Sequence, residues 1–513
     1  MHVALTLRDF IDRAELVHGD RVAVIDEPDP PGGPLGPLTY RQLAAMARGQ
    51  AARLDELGIG PGERVAILSP NAARFLVALF GVSAYGRIVV PINFRLNAAE
   101  IAYILEHSGA RVLLMDADSE AQAAGAGVEH RFVLGTATDA EVFGDGDGPS
   151  PPRADLDESA VASINYTSGT TARPKGVCLT HRSLWLNAAT FGWHVGISER
   201  DQYLHTLPMF HCNGWGLPYA LTAMGAPQVV LRKVDGEEIL ARIEANGVSL
   251  LAGAPAVVAA VLDAATTRRE VGRAVPGGVR MVVAGAPPPS KAIERVETEL
   301  GWEFIQIYGL TETAPLLTIN RSPREWDGLD PAERSRRLSR AGVPAVGVQI
   351  DIDGEGEILA RANHVMEGYW DQPEETGKAI VDGWFHTADG ADRDGAFVAI
   401  SDRKKDVIIS GGENVSSIEV EDALYQHPDV AEAAVIGVPH EKWGETVKAL
   451  VVLRPGATAE EGELIAFCRE HLAHFKCPTS VELRPDLPRT ATGKLQKFKL
   501  REAYWSGRER QVN

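Results

Sequence analysis

The stretch Tyr166-Thr167-Ser168-Gly169-Thr170-Thr171-Ala172-Arg173-Pro174-Lys175-Gly176 gathers hydroxyls, glycines and one lysine into a turn just after an apolar run. Residues 160–166 read as a buried strand, and the apolar pattern resumes over 177–181. A polar loop hung on a rigid strand edge suits phosphate binding. Glycine lets backbone N–H groups approach phosphate oxygens, Ser and Thr add short donors, and Lys175 supplies a point charge. The loop is not of the Walker A type, because no Gly-Lys followed by Ser or Thr occurs in it. Taken alone, the segment also reads as an ordinary Gly/Ser/Thr surface loop.

Outward from it the chain alternates helical and strand patterns. Residues 43–57 are amphipathic, 64–68 read as a strand, 72–85 as a helix and 88–92 as a strand. This βαβ rhythm predicts an α/β fold with a parallel sheet covered on both faces, and the alternation continues through 250, 279–283 and 304–307. Residues 26–37 and 143–152, rich in Pro, Gly and Asp, read as surface connections. No fixed-period repeat is visible, which argues against a solenoid. The charge cluster Ser401-Asp402-Arg403-Lys404-Lys405-Asp406 interrupts the apolar segments, and the chain beyond it has its own α/β pattern, with strands at 435–438 and 447–453. A large N-terminal domain, 1–402, built of α/β subdomains and a small C-terminal α+β domain, 403–513, are predicted from this break.

At 513 residues the chain is too long for one core, and with 45% hydrophobic and 24% charged residues it has an ordinary globular composition. A net charge of −19 argues against a nucleic-acid partner. Basic residues do cluster at Arg403-Lys404-Lys405 and through Lys494, Lys497, Lys499 and Arg501, which fits a small anionic ligand or a solvated face. Residues 1–9 lack the pattern of a signal peptide, no apolar run reaches the length of a membrane-spanning helix, and residues 510–513 are not a peroxisomal address. With only four cysteines, a reducing compartment and a cytoplasmic location are expected. Cys468, His471, His474 and Cys477 are spaced by three, but on a helix each such step turns the side chain back by about 60°. Four ligands fanned in this way cannot converge on one zinc ion, so a helix ending before Pro478 is expected instead.

Three further motifs carry chemistry. Tyr308-Gly309-Leu310-Thr311-Glu312-Thr313 follows the strand-like 304–307; an aromatic there can stack on a purine, and a carboxylate at a strand end can hold magnesium beside phosphates. His386-Thr387-Ala388-Asp389-Gly390 precedes Asp402-Arg403, and Pro488-Arg489-Thr490-Ala491-Thr492-Gly493-Lys494 lies near the end. With the phosphate loop, and in this order, these motifs resemble the adenylate-forming superfamily of acyl-CoA synthetases, coumarate-CoA ligases, beetle luciferases and peptide-synthetase adenylation domains. The resemblance runs from about Tyr40 to Arg501.

The resemblance implies an AMP-forming acyl-CoA ligase using ATP, Mg²⁺ and coenzyme A. It assigns the phosphates to Thr167, Ser168, Gly169, Thr170, Thr171 and Lys175, adenine stacking to Tyr308, and further nucleotide contacts to Gly285, Gln306 and Thr311. It gives Mg²⁺ to Thr167 and Glu312, and the ribose hydroxyls to Asp389 with Arg403. Lys405 would be the hinge about which the small domain swings, and Gly411 and Gly412 would line the path of the pantetheine thiol. Lys494 would bridge carboxylate and nucleotide, where a cation lowers the repulsion between two anions. Leu207-Pro208-Met209-Phe210-His211-Cys212-Asn213-Gly214-Trp215 looks like medium- and long-chain acyl-CoA synthetases and related plant acyl-activating enzymes. On that likeness His211, Trp215 and Gly309 border the acyl pocket, and Lys175, His211 and Lys494 are the catalytic set. A hydrophobic acid is implied, whether medium- or long-chain, aryl or polycyclic. A carrier-protein thiol in place of CoA, a luciferase-like oxygenase and a homodimer stay open. The chain departs from the family at Ala172, where glycine is usual, so its loop would hold nucleotide differently.

Overall fold

The computed structural model describes residues 3–125, 127–144, 156–167, 173–403, 406–410, 413–440, 443–489 and 495–505. Two large sheets form the body. In the first, strands Val161–Thr167, Ile88–Ile92, Arg64–Leu68, Val112–Asp116 and His130–Leu134 run parallel in that order. In the second, Glu303–Gly309, Arg280–Val283, Leu250–Gly253, Tyr203–His205, Gln228–Val230 and Val22–Ile25 do the same, with antiparallel strands at both edges. The expected βαβ rhythm is therefore present. Helix Tyr40–Glu56 starts where Thr39 and Gln42 form a capping box, and helix Ala98–Ser108 runs from the Asn97/Glu100 box to Gly109, which ends it in a left-handed turn. Helix Ala73–Ser83 is buried on every side because one core, containing residues of both sheets, surrounds it.

The apolar pattern resuming after residues 168–174 is strand Lys175–Thr180, antiparallel to Val161–Thr167, with Thr167 opposite Lys175. An antiparallel sheet follows, in which Glu357–Ala362 pairs with the long strand Trp384–Asp394, and that strand also carries Phe397–Arg403. The smaller C-terminal part is built on the hairpin Val430–His440 and Gly444–Leu453, joined by Ile408–Ser410, Glu413–Val415 and the parallel strand Ser480–Leu483. Both faces of this sheet are covered, one by a core including Val420, Leu424, Leu464 and Cys468, the other by Leu487 and Leu500. It meets the large part where the Asp422 carboxylate accepts the Ser290 N–H at 2.8 Å and its hydroxyl at 3.0 Å.

The helix expected to end before Pro478 does so at His471. Leu472 turns extended and packs on the C-terminal core, and His474 begins a separate 3-10 turn. Cys468 and Cys477 are buried, whereas His471 and His474 are exposed. Among the described residues no helix is long and apolar enough to cross a membrane.

Candidate active site

Residues of three sheets meet by the C-terminal end of strand Glu303–Gly309, the kind of place where open α/β sheets bind ligands. Tyr308, near the C-terminal end of Glu303–Gly309, donates its hydroxyl to Asp389 Oδ2 at 2.9 Å and so joins the second large sheet to the antiparallel one. Glu312, on the short turn Thr311–Thr313, accepts the Tyr369 hydroxyl at 3.0 Å, and its carbonyl accepts the Met366 N–H at 2.7 Å. Tyr369 belongs to strand Gly368–Tyr369, which pairs with Lys175–Thr180, and its ring lies 4.8 Å from Lys175 Nζ. Lys175 Nζ also meets Glu375 Oε2 at 2.5 Å. Burial, then the nearby charge of Glu312, pushes the Tyr369 phenol above its ordinary range, so it stays a proton donor. Hydrogen bonds from Lys175 and then Lys378 hold Glu375 down at about 2.

Of the residues singled out in the sequence, Thr167, Lys175, Tyr308, Glu312 and Asp389 are tied together by these contacts and by the hairpin pairing. Gln306 lies on the same strand face as Tyr308, two residues away. Its Nε2 donates to the Ile307 carbonyl, and its buried Oε1 has no hydrogen-bond partner among the described residues. A buried acceptor left open beside Tyr308 suits an N–H donor such as an adenine amine. Gly285 follows strand Arg280–Val283 at φ +95°, a conformation open to glycine but strained for other residues. Thr311 is buried and accepts the Cys212 thiol at its carbonyl, which anchors the 211–215 segment to the turn carrying Glu312.

That segment is a left-handed corner: Cys212, Asn213, Gly214 and Trp215 all have positive φ. Asn213 Oδ1 accepts from Ser163 and Asn165 on the neighbouring strand, each at 3.2 Å. His211 is half-buried at the corner's start, and Trp215, 4% exposed, belongs to the main core. Gly309 is required by packing, since a Cβ there would lie 1.6 Å from the Pro315 carbonyl oxygen. Arg403 pairs with Asp389 through the backbone. Ser168, Gly169, Thr170, Thr171, Ala172, Lys405, Gly411, Gly412 and Lys494 lie outside the described residues, as does the Arg403 side chain.

Residues 11–370 match the AMP-binding enzyme family, and residues 419–494 match the AMP-binding enzyme C-terminal domain. The chain belongs to the AMP-binding enzyme family. It is 35% identical to a 2-methylpropanoate–CoA ligase of Humulus lupulus, over 97% of this chain and 95% of the relative. It is 36% identical to a 4-hydroxybutyrate–CoA ligase of Metallosphaera sedula, over 96% and 93%. The crystal structure of an anthranilate CoA ligase in complex with anthranoyl-AMP superposes with a TM-score of 0.87 at 27% identity, covering 98% of both chains. The protein is accordingly an AMP-forming CoA ligase.

Sequence reasoning about this AMP-binding enzyme missed Tyr369 and Glu375, which hold Glu312 and Lys175, and Glu357, which holds the Ala388 N–H next to Asp389. The available signal for Tyr369 was the pair Tyr369-Trp370 after a glycine in an otherwise polar stretch. The site also contains a strained residue: Ala388, next to Asp389, sits at φ +58°. An L-residue pays about 1–2 kcal/mol there, part of which glycine returns through its looser unfolded chain. Ala388→Gly is therefore expected to raise stability by about 0.5–1 kcal/mol. A urea midpoint that moves down would show that Ala388 is not strained.

Proposed function

We propose that this ligase activates an apolar monocarboxylic acid of short branched or aryl size and transfers it to CoA, with ATP lying where residues of the three sheets meet. The observation that carries the nucleotide reading is the hydrogen bond from Tyr308 to the buried Asp389. It sets an aromatic face suited to adenine beside a carboxylate suited to the two ribose hydroxyls. Gln306, Thr311 and Gly285 would complete the base contacts, with Arg403 on the sugar.

Lys175 and the loop residues 168–171 would receive the phosphates; the Lys175–Glu375 pair keeps that cation oriented until phosphate oxygens compete for it. Thr167 and Glu312 would hold Mg²⁺, and the Tyr369 hydroxyl fixes the Glu312 carboxylate for that task. The ion would supply positive charge to the phosphate oxygens. An acid oxygen attacks the α-phosphorus and pyrophosphate leaves, Lys494 offsetting the charge of the two anions as they meet. The thiol sulfur then attacks the acyl carbon and AMP leaves. We place the domain boundary at 402/403 with its hinge at Lys405, and the Ser290–Asp422 contact would release when the small domain swings to bring Gly411 and Gly412 to the thiol path.

The size of the acid rests on Trp215, which is packed in the main core and with His211 and Gly309 would border the acyl pocket, and on the compact acids named for two of the similar proteins. Medium- or long-chain acids are the reading favoured by the likeness of residues 207–215 alone. A panel of short branched, aryl, long-chain and polycyclic acids, read by mass spectrometry of CoA thioesters together with AMP and pyrophosphate release, tests the proposal. Preference for the compact acids supports it. Preference for long chains, or acylation of a carrier-protein thiol in place of CoA, overturns it.

Trp215→Ala should open apolar space. It is expected to raise KM for the native acid by lost burial worth about 1.5–3 kcal/mol while admitting larger acids, with ATP affinity hardly changed. An unchanged selectivity order in a folded variant would make Trp215 core packing only.

A further inference from the structure

Strands Glu357–Ala362 and Trp384–Asp394 lose register beside the site. Glu357 pairs with Gly390 and Leu359 with His386, so two residue steps on one strand face four on the other. Thr387, Ala388 and Asp389 thus stand opposite Ile358 alone, as a bulge. Bulges re-aim side chains and leave ladder groups unpaired, and these need other partners. Here side chains supply them. The Glu357 carboxylate accepts the Ala388 N–H at 2.7 Å through Oε1, and its Oε2 faces His386 Nδ1 at 3.4 Å. The Thr387 hydroxyl donates to the Ile358 carbonyl at 2.8 Å and accepts the Asp389 N–H at 3.2 Å. Glu357 is itself fixed, because its N–H is taken by Asp353 Oδ1 at 2.8 Å. Glu357, Thr387 and Asp389 are all buried, while Ala388 is exposed in its left-handed conformation.

We infer that Glu357 is a positioning residue for the nucleoside ribose: its carboxylate holds the left-handed bulge at Ala388 that aims Asp389 beside Tyr308. The inference rests on the reading of Asp389 as the ribose ligand. What this point in the ladder needs is an acceptor oxygen at the reach of the Glu357 side chain, which takes the N–H turned out of the regular pairing. Without it the bulge can relax toward the right-handed conformation that Ala388 prefers, and the Asp389 carboxylate would turn away from the Tyr308 hydroxyl.

The test compares kcat/KM for ATP and 2′-deoxy-ATP, because a site built around a ribose hydroxyl discriminates against the nucleotide lacking it. Asp389→Ala should reduce the wild-type preference for ATP to about one, and Glu357→Ala should reduce it about tenfold, with KM for the acid at saturating ATP unchanged. Glu357→Gln, which keeps an acceptor oxygen for the Ala388 N–H, should restore the preference. If Glu357→Ala does not fold, Glu357→Asp, with the carboxylate withdrawn by one methylene, and Thr387→Val, which removes the second tie, decide in its place and should show the same loss. Preference lost in Asp389→Ala but kept in Glu357→Ala, or in both substitute variants, overturns the positioning role while leaving the ribose reading standing. Preference kept in Asp389→Ala overturns the ribose reading and the inference with it.

Discussion

Glu312→Gln is expected to slow adenylation about 10³-fold, or ~4 kcal/mol, with the fold intact. Glutamine is nearly isosteric and keeps an oxygen for the Tyr369 hydroxyl, so the contact at 3.0 Å can survive. What is lost is the charge that would hold Mg²⁺ at the phosphates. The deficit should therefore shrink as Mg²⁺ is raised, whereas ATP supplied at higher concentration with fixed Mg²⁺ should not restore the rate. Acid-dependent pyrophosphate release across a magnesium titration measures this. A loss with no change in magnesium dependence would mean that Glu312 acts through Tyr369 and the segment it holds, not through a metal.

The second large effect separates the half-reactions. Lys494→Ala should lower acyl-adenylate formation about a hundredfold, ~3 kcal/mol, while transfer from presynthesised adenylate to CoA stays near wild type. The asymmetry follows because the lysine offsets charge only while two anions are brought together; in the second step a neutral thioester forms and AMP departs. Single-turnover assays of each step decide it. An equal fall in both would remove the reason for placing a hinge at Lys405.

Much of the fold is legible in the chain because the parallel strands are short, largely apolar runs, as at Arg64–Leu68, which glycine and proline flank, and Ile88–Ile92, which follows Gly86. The direction of Lys175–Thr180 is not, since a buried strand has the same composition whichever way its neighbour runs. Nor is the end of helix Glu461–His471, set by Leu472 packing on the C-terminal core. The site divides in the same way. Tyr308, Glu312 and Asp389 stand in compact motifs of glycine, threonine and acid whose chemistry can be read locally. Their supports cannot, because Tyr369, Glu375 and Glu357 reach partners 57, 200 and 31 residues away. Each is an ordinary residue until the sheets bring it to its partner. Gly309 was read as pocket space, and the structure adds a steric reason for it in the backbone of Pro315.

The central step is an acid oxygen attacking the α-phosphorus of ATP. Turnover of a carboxylic acid labelled with ¹⁸O at both oxygens, followed by mass spectrometry of every product, tests this most directly. One labelled oxygen should appear in AMP and one should remain in the CoA thioester, with none in pyrophosphate. Label in inorganic phosphate with ADP as the nucleotide product, or AMP free of label, would contradict it.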